Sequence, residues 1–329
     1  MRILVTGGAG FIGSHLTELL IDDGHEVVTF DDLSTGDLAN LERVRDHPNH
    51  RFVEGTILDR ALLGAEVAKA DKVVHLAAAV GVKLIMEQPL ASFTTNTKGA
   101  EAVFDACLEH DKALLLASTS EVYGKNTSDE LIETSDRVLG ATTVKRWTYA
   151  ASKAFDEMMA LMLAEERGLD VTIIRFFNTV GPRQSPAYGM VIPSLAKQAV
   201  AGEPMTVHGD GLQTRCFCHV SDTVRAVSAL VTSDRPSGEV FNVGRPEEIS
   251  ILDLASAIRN EASSDSLIIT VPYAEAFAPG FEDMRRRMPS IQKINEATGW
   301  SPVRSMDQIV ADAVSDAKVA LRSPAISAH

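Results

Sequence analysis

Short aliphatic and β-branched runs, each bounded by small or polar residues and followed by a stretch of helical period, recur through the first half of the chain. Arg2-Ile3-Leu4-Val5, Glu26-Val27-Val28-Thr29-Phe30, Arg51-Phe52-Val53-Glu54-Gly55, Lys72-Val73-Val74-His75-Leu76, Ala113-Leu114-Leu115-Leu116-Ala117 and Val171-Thr172-Ile173-Ile174-Arg175-Phe176-Phe177 read as six strands. Near-continuous apolarity marks strands covered on both faces. Helical patterns at Ser14 to Ile21, Thr97 to His110 and from Trp147 to near Glu166 supply the covers. The alternation predicts a doubly wound parallel sheet with its site at the carboxyl ends of the strands. Beyond Phe176 the alternation fades. A helix is expected over Tyr188 to Ala201, strand and turn over Thr206 to Gly211, a strand at Val240-Phe241-Asn242-Val243 that returns to the first sheet, and a helix from Ile251 to Arg259 capped by Ser250. The expected division is a Rossmann-type domain of residues 1–175 plus about 218–244, and a smaller mixed α/β substrate domain of about 176–217 plus 245–329, with the tail beyond Arg322 disordered.

Between the first strand and first helix lies Thr6-Gly7-Gly8-Ala9-Gly10-Phe11-Ile12-Gly13. Gly7, Gly10 and Gly13 allow a tight turn, a bare backbone beside phosphates and close helix-to-strand packing, while the helix start offers free N–H groups to a pyrophosphate. The second strand ends in Asp31-Asp32, near the place where a carboxylate bonds ribose hydroxyls and would repel a ribose phosphate, which favours NAD over NADP. After the fourth strand, Leu76, Ala77 and Ala78 leave room for a cofactor against the backbone. The fifth strand runs into the hydroxyl-rich Ser118-Thr119-Ser120-Glu121, and Tyr149 and Lys153 lie four apart on one helix face. An ammonium there is expected to lower the tyrosine pKa and make it a base for a sugar hydroxyl.

Composition narrows this reading. A net charge of −14 argues against a nucleic-acid or anionic-membrane surface. No apolar run reaches the ~20 residues of a membrane span, so a cytoplasmic protein is expected. Three cysteines cannot all pair. Cys216 and Cys218 alternate about Phe217 and so are expected on one face of one strand, and no metal site is expected.

The glycine loop, Ser118 to Gly124, Tyr149 with Lys153, and Arg175 to Arg183 together resemble the extended short-chain dehydrogenase/reductase family. The resemblance spans nearly the whole chain and implies an NAD-dependent enzyme, commonly a homodimer through helices starting near Thr97 and Thr148, that oxidises C4 of a nucleotide-diphosphate sugar. Thr119-Ser120-Glu121, Arg146-Trp147, Arg215-Cys216-Phe217 and Arg285-Arg286-Arg287 look most like UDP-glucuronate decarboxylases. That likeness implies Thr119, Ser120, Glu121, Tyr149, Lys153 and Arg287 as catalytic, with Lys83, Arg146, Asn178, Val191, His208, Arg215 and Arg287 toward a UDP-sugar or another nucleotide-diphosphate sugar. Either Glu121 or Arg287 would reprotonate the sugar. The alternative is a 4-epimerase of a UDP-hexose or UDP-hexuronate. A 4,6-dehydratase is disfavoured because Ser120 stands where that subfamily has an aspartate, and a catalytically silent relative is disfavoured by the intact Thr119, Tyr149 and Lys153. Three departures stand out: Thr56 for an aspartate beside adenine, Phe281 for a tyrosine, and no tyrosine in Ala79 to Ile85.

Overall fold

A computed structural model describes residues 1–80, 87–186, 190–233, 237–276 and 284–322. The six expected strands are β1 (Arg2–Thr6), β2 (Glu26–Asp31), β3 (His50–Glu54), β4 (Lys72–His75), β5 (Ala113–Thr119) and β6 (Val171–Phe176). Short strands β7 (Thr179–Val180), β8 (Met205–His208), β9 (Thr214–Cys216) and β10 (Cys218–His219) follow, before β11 (Glu239–Val243) rejoins the sheet beside β6. Strands β12 (Glu248–Ser250) and β13 (Ile268–Val271) come last. The main sheet is parallel throughout, in the order β11-β6-β5-β4-β1-β2-β3.

Successive residues of each strand serve opposite cores, as the two-residue period of a strand requires. Ile3 and Val5 join α1 (Phe11–Asp22), whereas Leu4 joins α2 (Arg60–Val67), α3 (Pro89–Glu109) and α4 (Thr148–Arg167) on the other face. Each fully buried aliphatic side chain of this kind contributes about 1.5–3 kcal/mol. Helices α5 (Val191–Ala201), α6 (Val220–Val231) and α7 (Ile251–Glu261) come next, with Ser250 capping α7 through the N–H of Asp253. Helix α6 packs with α1 under the main sheet, while α5, α7 and β8 surround a separate core that α8 (Tyr273–Ala276) and α9 (Gln292–Thr298) do not join but α10 (Met306–Arg322) does. Ile294 of α9 and Trp300 return to the first core.

Two local expectations change. The helix expected from Tyr188 is seen from Val191, residues 187–189 lying outside the described set. Cys216 and Cys218 do not share a strand: Cys216 pairs antiparallel to Glu248 in one small sheet and Cys218 parallel to Thr179 in another. The chain changes sheets at Phe217, a turn that simple alternation of residue types does not announce. The expectation for the tail beyond Arg322 falls outside the described residues.

Candidate active site

A cavity of about 1470 Å³ opens along the carboxyl ends of β1, β4, β5 and β6 and continues toward β8. Gly7, Gly10, Phe11, Ile12, Gly13, Asp31, Asp32, Leu76, Ala77 and Ala78 line one end. Gly7 has φ +71°, and a Cβ there would sit 2.7 Å from the backbone N of Ala77; a Cβ on Gly13 would strike the carbonyl of Gly7. The loop therefore holds its shape through missing side chains. Helix α1 has neither a side-chain cap nor an acidic residue in its first turn, which leaves its N–H groups to an anion. Asp31 is fixed at the end of β2 by the N–H groups of Ala9 at 3.0 Å and Leu33 at 2.9 Å. Burial raises its pKa and those two donors oppose the rise. This cradle fits a dinucleotide: bare backbone for the pyrophosphate and an oriented carboxylate for the ribose. Thr56, Ile57 and Leu58 line the same end after β3.

The middle of the cavity brings together Thr119, Ser120, Glu121, Tyr149 and Lys153. Behind β5 a buried lattice fixes that strand end. Arg175 grips Glu157 at 3.0 Å (Nε to Oε1) and 2.7 Å (Nη2 to Oε2), Ser118 also donates to Glu157, and the Tyr123 hydroxyl takes a bond from Arg175 at 2.9 Å and gives one to Asn242 at 2.7 Å. The lowered pKa expected for Tyr149 is absent. Burial raises it, with Glu121 and Asp156 adding to the rise, against a hydrogen bond with Thr119 that lowers it. Lys153 has a carboxylate of its own nearby, its Nζ 3.6 Å from Asp156 Oδ2.

Glu121 lies between two guanidiniums, Arg146 at 2.6 Å and Arg287 at 2.8 Å. Arg287, 3 % exposed, also donates to Ser120 at 3.0 Å from 167 residues away in sequence. Burial alone would raise the Glu121 pKa; Arg287 and then Arg146 outweigh it and hold the carboxyl well below its usual range. The segment carrying Arg287 is pinned by backbone: Thr214 N–H to Arg285 carbonyl at 2.9 Å, Leu131 N–H to Met288 carbonyl at 2.8 Å and Ser290 N–H to Leu131 carbonyl at 2.9 Å. Arg146, expected toward substrate, thus spends its charge on Glu121.

Toward the second core, Asn178, Val191, His208 and Arg215 all line the cavity. Asn178 holds φ +31° and donates to the Cys216 carbonyl at 2.8 Å. Burial lowers the pKa of His208. Lys83 lies outside the described residues, as does Phe281. Sequence reasoning missed Asp156, which sits three residues after Lys153, and Tyr273, whose ring fills the space a Cβ on Gly209 would take. The first was detectable as a carboxylate on the inner face of α4; nothing marked the second.

The model of the "NAD dependent epimerase/dehydratase family" matches residues 3–244. The chain belongs to that family. Among relatives, the UDP-N-acetyl-alpha-D-glucosaminuronate decarboxylase of Bacillus cytotoxicus is 40% identical over 308 residues, 93% of this chain and 94% of that protein. UDP-glucuronic acid decarboxylase 1 of Danio rerio is 35% identical over 93% of this chain and 70% of its own. Among solved structures, the UDP-glucose 4-epimerase of Thermotoga maritima with UDP-glucose superposes with a TM-score of 0.87 at 29% identity, over 98% of this chain and 100% of that one. A dTDP-glucose 4,6-dehydratase of Streptomyces venezuelae with NAD bound gives 0.87 at 30% identity, over 96% of each. This member of the epimerase/dehydratase family is an NAD-dependent enzyme of the extended short-chain type. Among the described residues no helix is long and apolar enough to cross a membrane, and no cluster of ligating side chains could hold a metal.

Proposed function

We propose that the enzyme converts a UDP-hexuronate into a UDP-pentose by oxidation at C4, loss of the C6 carboxylate and reduction. What supports this most is Arg287, because a sugar carboxylate, and the enolate left when it departs, need a fixed buried cation. When bound, NAD supplies the two-electron acceptor for C4 and the hydride for the return. Tyr149 takes the C4 hydroxyl proton while Thr119 holds the same oxygen. The resulting ketone is β to the carboxylate, so the electrons of the breaking C–C bond move into it, and hydrogen bonds from Tyr149 and Thr119 stabilise the oxygen that receives them. Lys153 would hold the nicotinamide ribose. Asn178 and Arg215 serve the uridine diphosphate, with His208 against the base.

Glu121 enters the cycle ionised and is no acid while two guanidiniums hold it. A substrate carboxylate drawn to Arg287 competes with Glu121 for that guanidinium and weakens the larger of the two charges that keep it ionised, which makes Glu121 the proposed proton donor to C5.

The test is incubation with NAD and either UDP-glucuronate or UDP-N-acetylglucosaminuronate, with carbon dioxide and the nucleotide product both followed. Gas with a UDP-pentose supports the reading, and the preferred acid fixes the substituent at C2; the Bacillus relative favours the N-acetyl sugar. A C4 epimer without gas would move the assignment to a 4-epimerase, the reading that the Thermotoga neighbour favours. We further read the chain as a cytoplasmic homodimer. Its three described cysteines are free and buried, and exposed Leu90 and Phe93 on α3 with Phe155, Met158 and Met162 on α4 form apolar stripes suited to a second copy.

A further inference from the structure

Asp156 is 1 % exposed, and among the described residues neither carboxylate oxygen has a hydrogen-bond partner. Its neighbour Glu157 spends its charge on Arg175, and Glu121 spends its own on Arg146 and Arg287. Among the described residues Asp156 is paired with the Lys153 ammonium alone, 3.6 Å away and too far for a short charge-assisted bond. A buried, half-satisfied carboxylate costs stability, and an apolar residue at this point of α4 would avoid that cost.

We propose that Asp156 is a positioning residue that anchors the Lys153 ammonium and, as a buried negative charge near Tyr149, sets the pH at which Tyr149 releases its proton. The proposal rests on Tyr149 being the base of the reaction proposed above. With Asp156 charged, Lys153 is partly neutralised and Tyr149 releases its proton at a higher pH; with that charge removed, the ammonium acts on Tyr149 unopposed and the release moves to a lower pH. The charged and titratable groups around the pair come from several elements. Tyr149, Lys153 and Glu157 share α4 with Asp156, Glu121 faces Tyr149 from the turn after β5, and Arg175 of β6 holds Glu157. His75 of β4 faces Lys153 and bonds Thr6 at 2.7 Å; burial and then Lys153 push its pKa down to about 3, so it stays neutral where Asp156 titrates. For Asp156, burial and Glu157 outweigh Lys153 and raise its pKa to about 6.

The experiment uses NAD-loaded protein carrying tyrosine labelled with 13C at Cζ, a probe with few signals because the chain has 4 tyrosines. Tyr149→Phe assigns the Tyr149 resonance. In the wild type that resonance should pass through an inflection near pH 6, the Asp156 range. Asp156→Asn should abolish the inflection and move the alkaline rise of kcat to lower pH by about one unit, and Asp156→Glu should restore both. A wild-type Tyr149 signal flat between pH 5 and 7, a range set about the ordinary and raised carboxyl pKa values, overturns the proposal, and it needs no variant to fold. So does an inflection that persists in Asp156→Asn. Full turnover by Tyr149→Phe would instead sink the assignment of the base, whatever the spectra show.

Discussion

The two ends of the cavity are made by different physics. At the cofactor end the work falls to one contiguous segment, Gly7 to Gly13, and to Asp31 shortly after it, with shape created by the absence of side chains. At the proposed sugar end it falls to Glu121, Arg146 and Arg287, full charges from three separate stretches, with one carboxylate shared by two guanidiniums. A cradle of backbone fails gradually as atoms are added to it. An ionic clamp fails abruptly when its shared carboxylate is lost, because both guanidiniums then lose the carboxylate that pairs them.

Four substitutions probe that contrast. Tyr149→Phe, which sits between the ends, should reduce turnover by about 10³–10⁴-fold with NAD affinity intact, since a positioned base contributes on that scale; single-turnover reduction of bound cofactor by UDP-sugar reads it. Arg287→Met should cost about 10²–10³-fold in decarboxylation and destabilise by about 1.5–3 kcal/mol, because Glu121 loses one charged hydrogen bond and keeps Arg146; calorimetry and gas release measure the two losses separately. Glu121→Gln should change the pH dependence of stability. The Glu121 pKa is depressed on folding, so its contribution is complete above the ordinary carboxyl value of 4.5 and lost as pH falls below it. Urea melts between pH 3 and 7, chosen to bracket the usual carboxyl range, should show a flatter acid limb in the variant. Gly7→Ala should be mildest. It places a Cβ at positive φ against Ala77, with a backbone cost of about 1–2 kcal/mol and NAD binding weaker by about 10-fold; calorimetric titration with NAD is the measure, and a loss at Gly7 that exceeds the one at Arg287 would reverse the comparison.

The same contrast explains what could be read in the chain beforehand. The sheet was legible because strands buried on both faces write themselves as aliphatic runs, and the cradle because its parts are adjacent. Ser120 and Glu121 were marked by the end of the fifth strand, but Arg287 entered only through likeness to a family, since no local pattern connects residues 167 apart. Two physical inferences from neighbouring residues went astray for one reason, the environment supplied by the fold. Tyr149 was expected to be more acidic beside Lys153, but burial and two carboxylates raise its pKa. Cys216 and Cys218 obey alternation, yet the chain leaves one sheet for another between them. The exposed stripe Phe155, Met158 and Met162 keeps helical spacing where solvent would favour charge, and replacing Met158 and Met162 by glutamate should yield monomers by light scattering if that stripe is the subunit contact.

Arg287 also sets a schedule. During synthesis the glycine cradle leaves the ribosome about 270 residues before Arg287, the interval from Gly13. At 5–20 residues per second that is on the order of 10–50 s in which a nascent chain carries its glycine segment and yet lacks the second cation for Glu121. The backbone ladder from Leu131 to Met288 and Ser290 closes only then. The core beneath α1 also closes last, through Ile294 and Trp300, so the nucleotide site and the charged site are completed together at the end of synthesis.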